Sequence, residues 1–198
     1  MIALLAPAAL AHVPYLETQD FSPTDPFVVS WSVEKSIAVY GWLDGPTDVD
    51  DFRLEIHPGD QVYLEVLVPE CAEYADFRPS MVLFGPGLPP APPEVAGIVP
   101  PGAGAIVIDN PDDGLPRPTV YEPFGDKTYF EFPELDAIAP RGGTYGLAVY
   151  DPAGAAGTGG DYVAVIGTTE SFSVRDSVRA AQITPIIRAD GELHVQCL

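Results

Sequence analysis

Aspartates are concentrated in one short stretch of the chain, where they could bind a metal ion. Asp48, Asp50 and Asp51 form an acidic corner, and Asp60 follows at the next turn. Oxygen ligands at this spacing are typical of calcium sites, which take about six to eight oxygens. Aspartate is also common in turns, because its side chain bonds to the neighbouring backbone. The sequence therefore predicts a calcium site at these four residues, with ordinary turn chemistry as the alternative.

Three histidines, His12, His57 and His194, offer a second kind of metal site. Residues 1–11 are apolar and end in a small-x-small tripeptide, which is typical of a short signal peptide. Cleavage there would leave His12 at the amino terminus, where its amine and imidazole could bind copper together with His57 or His194. The alternative is that His12 begins a terminal arm and that the other two histidines face solvent on strands.

A group of aromatic and acidic residues could form a contact surface for a carbohydrate or a protein. Tyr121, Glu122, Phe124 and Tyr129 lie within nine positions of one another, in a segment rich in Pro, Asp and Gly. Exposed aromatic rings at such a place would suit a carbohydrate-binding module. The alternative is that these residues fix a long loop to the body of the protein.

The chain carries no complete catalytic motif. It lacks the Gly-x-Ser-x-Gly nucleophile elbow of the α/β-hydrolases and the glycine-rich loops that bind nucleotide phosphates. Glycoside hydrolysis needs a pair of carboxylates, and among 29 acidic residues the sequence alone cannot identify such a pair. We therefore expect a non-catalytic binding or structural module.

The charge excludes one class of partner. With 29 acidic and 9 basic residues, the formal net charge is -20, which repels phosphate backbones and makes nucleic acid an unsuitable partner. The mature chain also lacks a run of about 20 apolar residues, so we expect no membrane span. Together with the apolar residues 1–11, this predicts an exported protein, periplasmic, extracellular or at the cell surface.

Two cysteines, Cys71 and Cys197, are present. In an exported protein an even number of cysteines favours a disulfide, which would here join a strand end to the carboxyl terminus. In a cytosolic protein they would be two unrelated thiols.

Strict alternation of apolar and polar residues determines the predicted fold class. Residues 50–57 and 61–68 alternate in this way around a Pro-Gly-Asp turn, and we expect them to form a β-hairpin. The whole pattern predicts one all-β domain over residues 12–198, an antiparallel β-sandwich with jelly-roll-like topology and long Pro/Gly-rich loops. We also expect a helix at 175–187, and strands with a weaker signal at 170–174 and 191–196.

Five motifs share their order and polarity with a known family. They are residues 48–54 (DVDDFRL), 58–64 (PGDQVYL), 80–87 (SMVLFGPG), 143–150 (GTYGLAVY) and 160–165 (GDYVAV). Over about residues 36–168 the chain thereby resembles the bacterial pre-peptidase carboxyl-terminal domains. The resemblance implies a jelly-roll-like β-sandwich that serves as an accessory module of secreted enzymes and has no catalytic activity of its own.

Overall fold

The computed structural model describes residues 12–112, 114–195 and 197, and the predicted signal peptide at 1–11 lies outside them. Within the described residues the chain forms twelve β-strands and one α-helix, α1 (Val174–Arg188). The strands are β1 (Val13–Leu16), β2 (Phe27–Val29), β3 (Ile37–Leu43), β4 (Val49–Ile56), β5 (Gln61–Pro69), β6 (Ser80–Pro90), β7 (Gly104–Ile108), β8 (Thr119–Glu122), β9 (Lys127–Glu131), β10 (Leu135–Ile138), β11 (Gly143–Tyr150) and β12 (Gly160–Ile166).

These strands form two packed sheets with the order of a jelly roll. Sheet A has the order β1-β3-β12-β5-β9-β8, with β10 paired to β5, and sheet B has the order β2-β4-β11-β6-β7. The central quartets β3-β12-β5-β9 and β4-β11-β6-β7 arise because the chain repeatedly crosses from one sheet to the other. The predicted jelly-roll sandwich is confirmed, and β1 and β2 each add a parallel strand at one sheet edge.

Alternation along the strands places one row of side chains from each sheet in the core. On β4 the inward row contains Phe52, Leu54 and Ile56, all buried, and their polar neighbours point outward. The inward residues of β3, β5, β11 and β12 meet this row to form one continuous hydrophobic cluster. Burial of this apolar surface is the main term that stabilises the fold.

The predicted hairpin of residues 50–57 and 61–68 is wrong, although both strands exist. Strand β4 pairs with β2 and β11 in sheet B, whereas β5 pairs with β9, β10 and β12 in sheet A. The turn between them, with Gly59 at a φ of 91°, crosses the core from sheet to sheet. Alternation identifies the buried face of a strand but not its neighbours, and this explains the error.

Both outer faces of the sandwich are partly covered. Ile183 and Ile187 of α1 pack on sheet A against Tyr40 and Val165. On sheet B, the segment between β6 and β7 forms a second small core with residues of β6 and β11. The Pro-rich stretch at 85–104 is therefore only partly a loop, since β6 extends to Pro90 and the remainder packs on the sheet.

The helix prediction is confirmed, and the two weaker strand predictions beside it are wrong. Residues 170–174 lead into α1, because the Ser173 hydroxyl accepts the Asp176 N–H and the Asp176 carboxylate accepts the Ser173 N–H. Residues 191–195 form turns, because the backbone N–H of His194 bonds to the Asp161 side chain instead of to a strand. Two strands that the sequence did not indicate, β1 and β10, are four residues long and belong to sheet A, where β1 pairs with β3 and β10 with β5.

The predicted disulfide between Cys71 and Cys197 is present and joins residues 126 positions apart. It fastens the carboxyl-terminal segment to the end of β5. In the chain-entropy treatment, closing a loop of this length destabilises the unfolded chain by about 4 to 5 kcal/mol.

We expect the double substitution of Cys71→Ser and Cys197→Ser to lower the melting temperature by roughly 10 to 20 °C, because the unfolded chain regains this entropy. Thermal unfolding followed by circular dichroism measures the change. Treatment of the unmodified protein with a reductant should give the same shift. An unchanged melting temperature in both cases would contradict the prediction.

Candidate functional site

An open groove lies at one end of the sandwich, where the connection from β1 to β2 passes the corner between β3 and β4. Its volume is about 710 Å³. The position follows from the strand pairing, since β1 runs parallel to β3 and delivers the connecting segment to the end of that strand. We call it the acidic groove; its lining is Glu17, Thr18, Gln19, Asp20, Trp42, Asp44, Gly45, Pro46, Thr47, Asp48 and His194.

Three carboxylates lie close together at the acidic groove, of which Glu17 and Asp20 line it and Asp50 does not. One oxygen from each of Glu17, Asp20 and Asp50 lies within 4.8 Å of the other two. The backbone N–H of Glu17 donates to the Tyr40 carbonyl and so extends the pairing of β1 with β3. The Glu17 carboxylate accepts the backbone N–H of Trp42 at 2.7 Å. We call these three residues the carboxylate cluster.

Asp50 is the buried member of the carboxylate cluster, with 0 % of its surface exposed. It belongs to the inward row of β4, two positions before Phe52. One of its oxygens, Oδ2, accepts the Tyr162 hydroxyl at 2.6 Å, whereas Oδ1 is buried and has no hydrogen-bond partner. A buried polar atom without a partner is costly, and a bound cation or a proton shared with a neighbouring carboxylate would satisfy this oxygen.

Burial and mutual repulsion raise the pKa values of Asp50 and Glu17. The pKa of Asp50 rises to about 8, mainly because of burial and secondly because of the Glu17 charge. The pKa of Glu17 rises to about 7, again chiefly through burial, with Asp20 and Asp48 adding repulsion. No lysine or arginine is among the described residues that line the acidic groove. A bound cation would therefore displace protons from this site at neutral pH.

Aromatic rings form another wall of the acidic groove. The rings of Trp42 and His194 lie with their centroids 4.4 Å apart and their planes inclined at 30°. His194 Nδ1 lies 2.8 Å from Asp161 Oδ1, and its backbone N–H donates to Asp161 Oδ2 at 2.9 Å. The Tyr74 hydroxyl donates to the same carboxylate, and the disulfide at Cys197 ends this segment. Several contacts thus hold the His194 ring in place.

The structure separates the four predicted calcium ligands. Asp50 belongs to the carboxylate cluster, and Asp48 lies at the rim, where its two oxygens accept the N–H groups of Asp44 and Val49. Asp51 follows Asp50 on β4 and therefore points to the other side of the sheet. Asp60 lies beyond the opposite end of β4 and accepts the backbone N–H of the nearby residue 57. One ion cannot contact both faces and both ends of a strand, so these four residues do not form a single calcium site.

Glu17 and Asp20 are the cluster members that sequence reasoning missed. They follow β1 directly, in a segment whose four-residue strand gives almost no periodic signal. A Glu-x-x-Asp pair after a short apolar stretch was the available clue. Their proximity to Asp50 depends on pairing between strands, which local spacing does not reveal.

The three histidines do not come together either. His12 Nδ1 bonds to Ser36 Oγ at 2.6 Å just before β3, whereas His194 lies beside Trp42 near the other end of that strand. The length of β3 separates these positions by roughly 20 Å. His57 is exposed in the turn after β4 and contacts Asp60. The structure therefore does not bring His12 to His194, and copper binding by a terminal His12 together with His57 stays a prediction of the sequence.

The predicted aromatic platform is not a single exposed surface. Tyr121 is 57 % exposed, but Tyr129 is only 1 % exposed and packs under α1 with Ile187. The Glu122 carboxylate accepts the N–H of Phe124, whose carbonyl accepts Arg188 Nε from the helix. These residues fix the loop to the sandwich, as in the alternative interpretation, because three of the four, Glu122, Phe124 and Tyr129, make internal contacts.

Comparison with known proteins gives a limited result. No family model matches the chain, and no curated protein matches it. Among solved structures it is similar to the g-type lysozyme inhibitor PliG of Aeromonas hydrophila, at 16% identity and a TM-score of 0.43, over 78% of this chain and 97% of that one. It is also similar to the copper-binding protein CorA of Methylomicrobium album BG8, at 10% identity and a TM-score of 0.34, over 80% and 99%. At these values the similarity carries no argument about function.

We expect the metal-free protein to lose stability progressively as the pH rises from about 4 to about 8. The pKa values of Asp50 and Glu17 are higher in the folded state than their ordinary values of about 4. The protonated carboxyls therefore contribute stability that is complete below about pH 4, falls as the unfolded chain ionises while the folded chain does not, and is fully lost once the pH has passed the folded-state pKa values. Urea unfolding in the presence of a chelator at several pH values measures this dependence.

Asp50→Asn should flatten the dependence, since the amide cannot ionise. Asp60→Asn, at the opposite end of β4, is the matched control and should retain the slope of the unmodified protein. Equal slopes in all three proteins would show that the buried carboxyl does not cause the pH dependence.

Proposed function

We propose that the chain is an exported, non-catalytic binding module stabilised by one calcium ion at the carboxylate cluster. The observation that carries the proposal is Asp50 Oδ1, a fully buried oxygen without a partner that lies beside two further carboxylates. A divalent cation would neutralise most of the charge of Glu17, Asp20 and Asp50 and would give this oxygen a partner.

Calcium suits this donor set better than other common metals. The three side chains supply only carboxylate oxygens, whereas zinc in proteins usually has nitrogen or sulfur ligands. Magnesium requires near-ideal octahedral geometry and retains several waters. Calcium tolerates irregular arrangements of about six to eight oxygens, and backbone carbonyls, waters or a ligand can complete the number.

A calcium ion at this position would join two parts of the fold. Glu17 and Asp20 belong to the segment between β1 and β2, whereas Asp50 belongs to the inward row of β4. An ion that binds only the folded arrangement stabilises it by mass action. The ion would thus hold the amino-terminal segment against the sandwich and fix one side of the acidic groove.

Export and the absence of catalysis belong to the same proposal. The disulfide between Cys71 and Cys197 is typical of oxidising compartments, and the apolar residues 1–11 are consistent with a signal peptide. Within the described residues, no helix has the length and apolar character needed to cross a bilayer. The resemblance to pre-peptidase carboxyl-terminal domains supports an accessory role beside a secreted enzyme.

We expect calcium to raise the melting temperature at pH 8 by about 5 to 10 °C when its free concentration is about a hundredfold above its Kd. At pH 5 the rise should be much smaller, because Asp50 and Glu17 then hold protons that compete with the ion. Differential scanning calorimetry at both pH values, with and without a chelator, measures the effect.

Asp50→Asn should abolish the calcium response, and Asp60→Asn should leave it intact. If instead Asp60→Asn abolished the response and Asp50→Asn left it intact, the calcium site would lie in the turn between β4 and β5. Absence of any response at pH 8 in the unmodified protein would contradict the proposed function.

A further inference from the structure

We propose that the acidic groove is a calcium-dependent carbohydrate site, in which vicinal hydroxyl groups of a sugar complete the coordination of the ion while the sugar ring contacts Trp42. This inference rests on the proposed function, since the ion at the carboxylate cluster supplies the first contact. It assigns a ligand class to a part of the surface different from the aromatic segment that the sequence suggested.

The geometry of the carboxylate cluster leaves the ion accessible from one side. Asp50 lies beneath the floor of the acidic groove and is fully buried, Glu17 is half-buried, and Asp20 is exposed. With one oxygen from each, a calcium ion would have at least about three further positions to fill. Asp20 lies on the accessible side, which faces the groove. An entering ligand could place its oxygen atoms on the ion from this side.

Trp42 lines the same groove as Glu17 and Asp20. Its backbone N–H bonds to the Glu17 carboxylate at 2.7 Å. The His194 ring packs against part of the indole and is itself held by Asp161. Because these contacts hold the two rings before any ligand arrives, little side-chain freedom would be lost on binding. A groove that contains both an aromatic ring and a cation offers a sugar an apolar and a coordinating surface.

The rest of the lining suits a neutral, hydroxyl-rich ligand. Thr18, Gln19 and Thr47 offer donors and acceptors, and Asp44 offers acceptors, around a space of about 710 Å³. This volume is within the range of small-molecule sites, about 300 to 1,000 Å³. The acidic surroundings would also attract a basic protein partner, and polylysine is the probe for that alternative.

The test is binding of the full exported chain, loaded with calcium, to a microarray of bacterial, plant and animal glycans. We expect retention on at least one glycan in calcium and loss of that retention in a chelator. Trp42→Ala should weaken binding by about tenfold or more, because a central aromatic contact is removed. Trp42→Ala keeps the backbone N–H that bonds Glu17, and calorimetry should show that it still binds calcium.

Two controls separate the possible failures. Tyr121→Ala removes an exposed aromatic ring far from the cluster along the chain and should leave glycan binding unchanged, whereas Asp50→Asn should abolish it.

Calcium binding without retention on any glycan would overturn this inference and leave the proposed function standing. Failure to bind calcium would overturn both. Glycan binding that persists in the chelator, or retention on polylysine alone, would also overturn the inference, the latter in favour of a basic partner. If Trp42→Ala fails to fold, Trp42→Phe with a reduced glycan affinity gives the same decision.

Discussion

The inward row of β4 imposes a constraint on which the rest of the candidate site depends. Every second residue of this strand must face the other sheet, and Asp50 occupies such a position at the end of the row. The Tyr162 hydroxyl satisfies one of its oxygens, and the other is left to interact with Glu17 and Asp20. The fold thus places a carboxylate where an apolar side chain would be less costly to bury, and the proposed calcium ion would offset that cost.

Two segments outside the central strands contribute to the acidic groove near the buried Asp50. Strand β1 pairs with β3 and brings Glu17 to the corner, while the carboxyl-terminal segment returns across the end of β3 with His194. The disulfide at Cys197 fastens that return. Neither segment belongs to the eight central strands of the jelly roll. The acidic groove therefore combines these two segments with the end of β3 and the corner between β3 and β4, which belong to the jelly roll itself.

Much of this fold could be predicted from the sequence, because alternation reports directly which residues face a core. The inward positions of β4 and β5 are confirmed on that basis. The helix and the disulfide are also confirmed, the disulfide from the even number of cysteines in an exported protein. Alternation does not report which strands are neighbours, so the expected hairpin of β4 and β5 is a crossing between sheets. The same limit explains the site: Asp60 is near Asp50 in sequence but far from it in space, whereas Glu17 is distant in sequence and adjacent in the fold. Only strand pairing brings Glu17 to Asp50.

The central claim is that a cation replaces protons on a buried carboxylate, and proton release measures this most directly. Calcium should be titrated calorimetrically at pH 7 in two buffers with different enthalpies of ionisation. Because Asp50 and Glu17 have pKa values of about 8 and about 7, binding should release about one proton or more per ion. Binding of calcium without proton release would place the ion elsewhere on the acidic surface, and absence of binding would contradict the account as a whole.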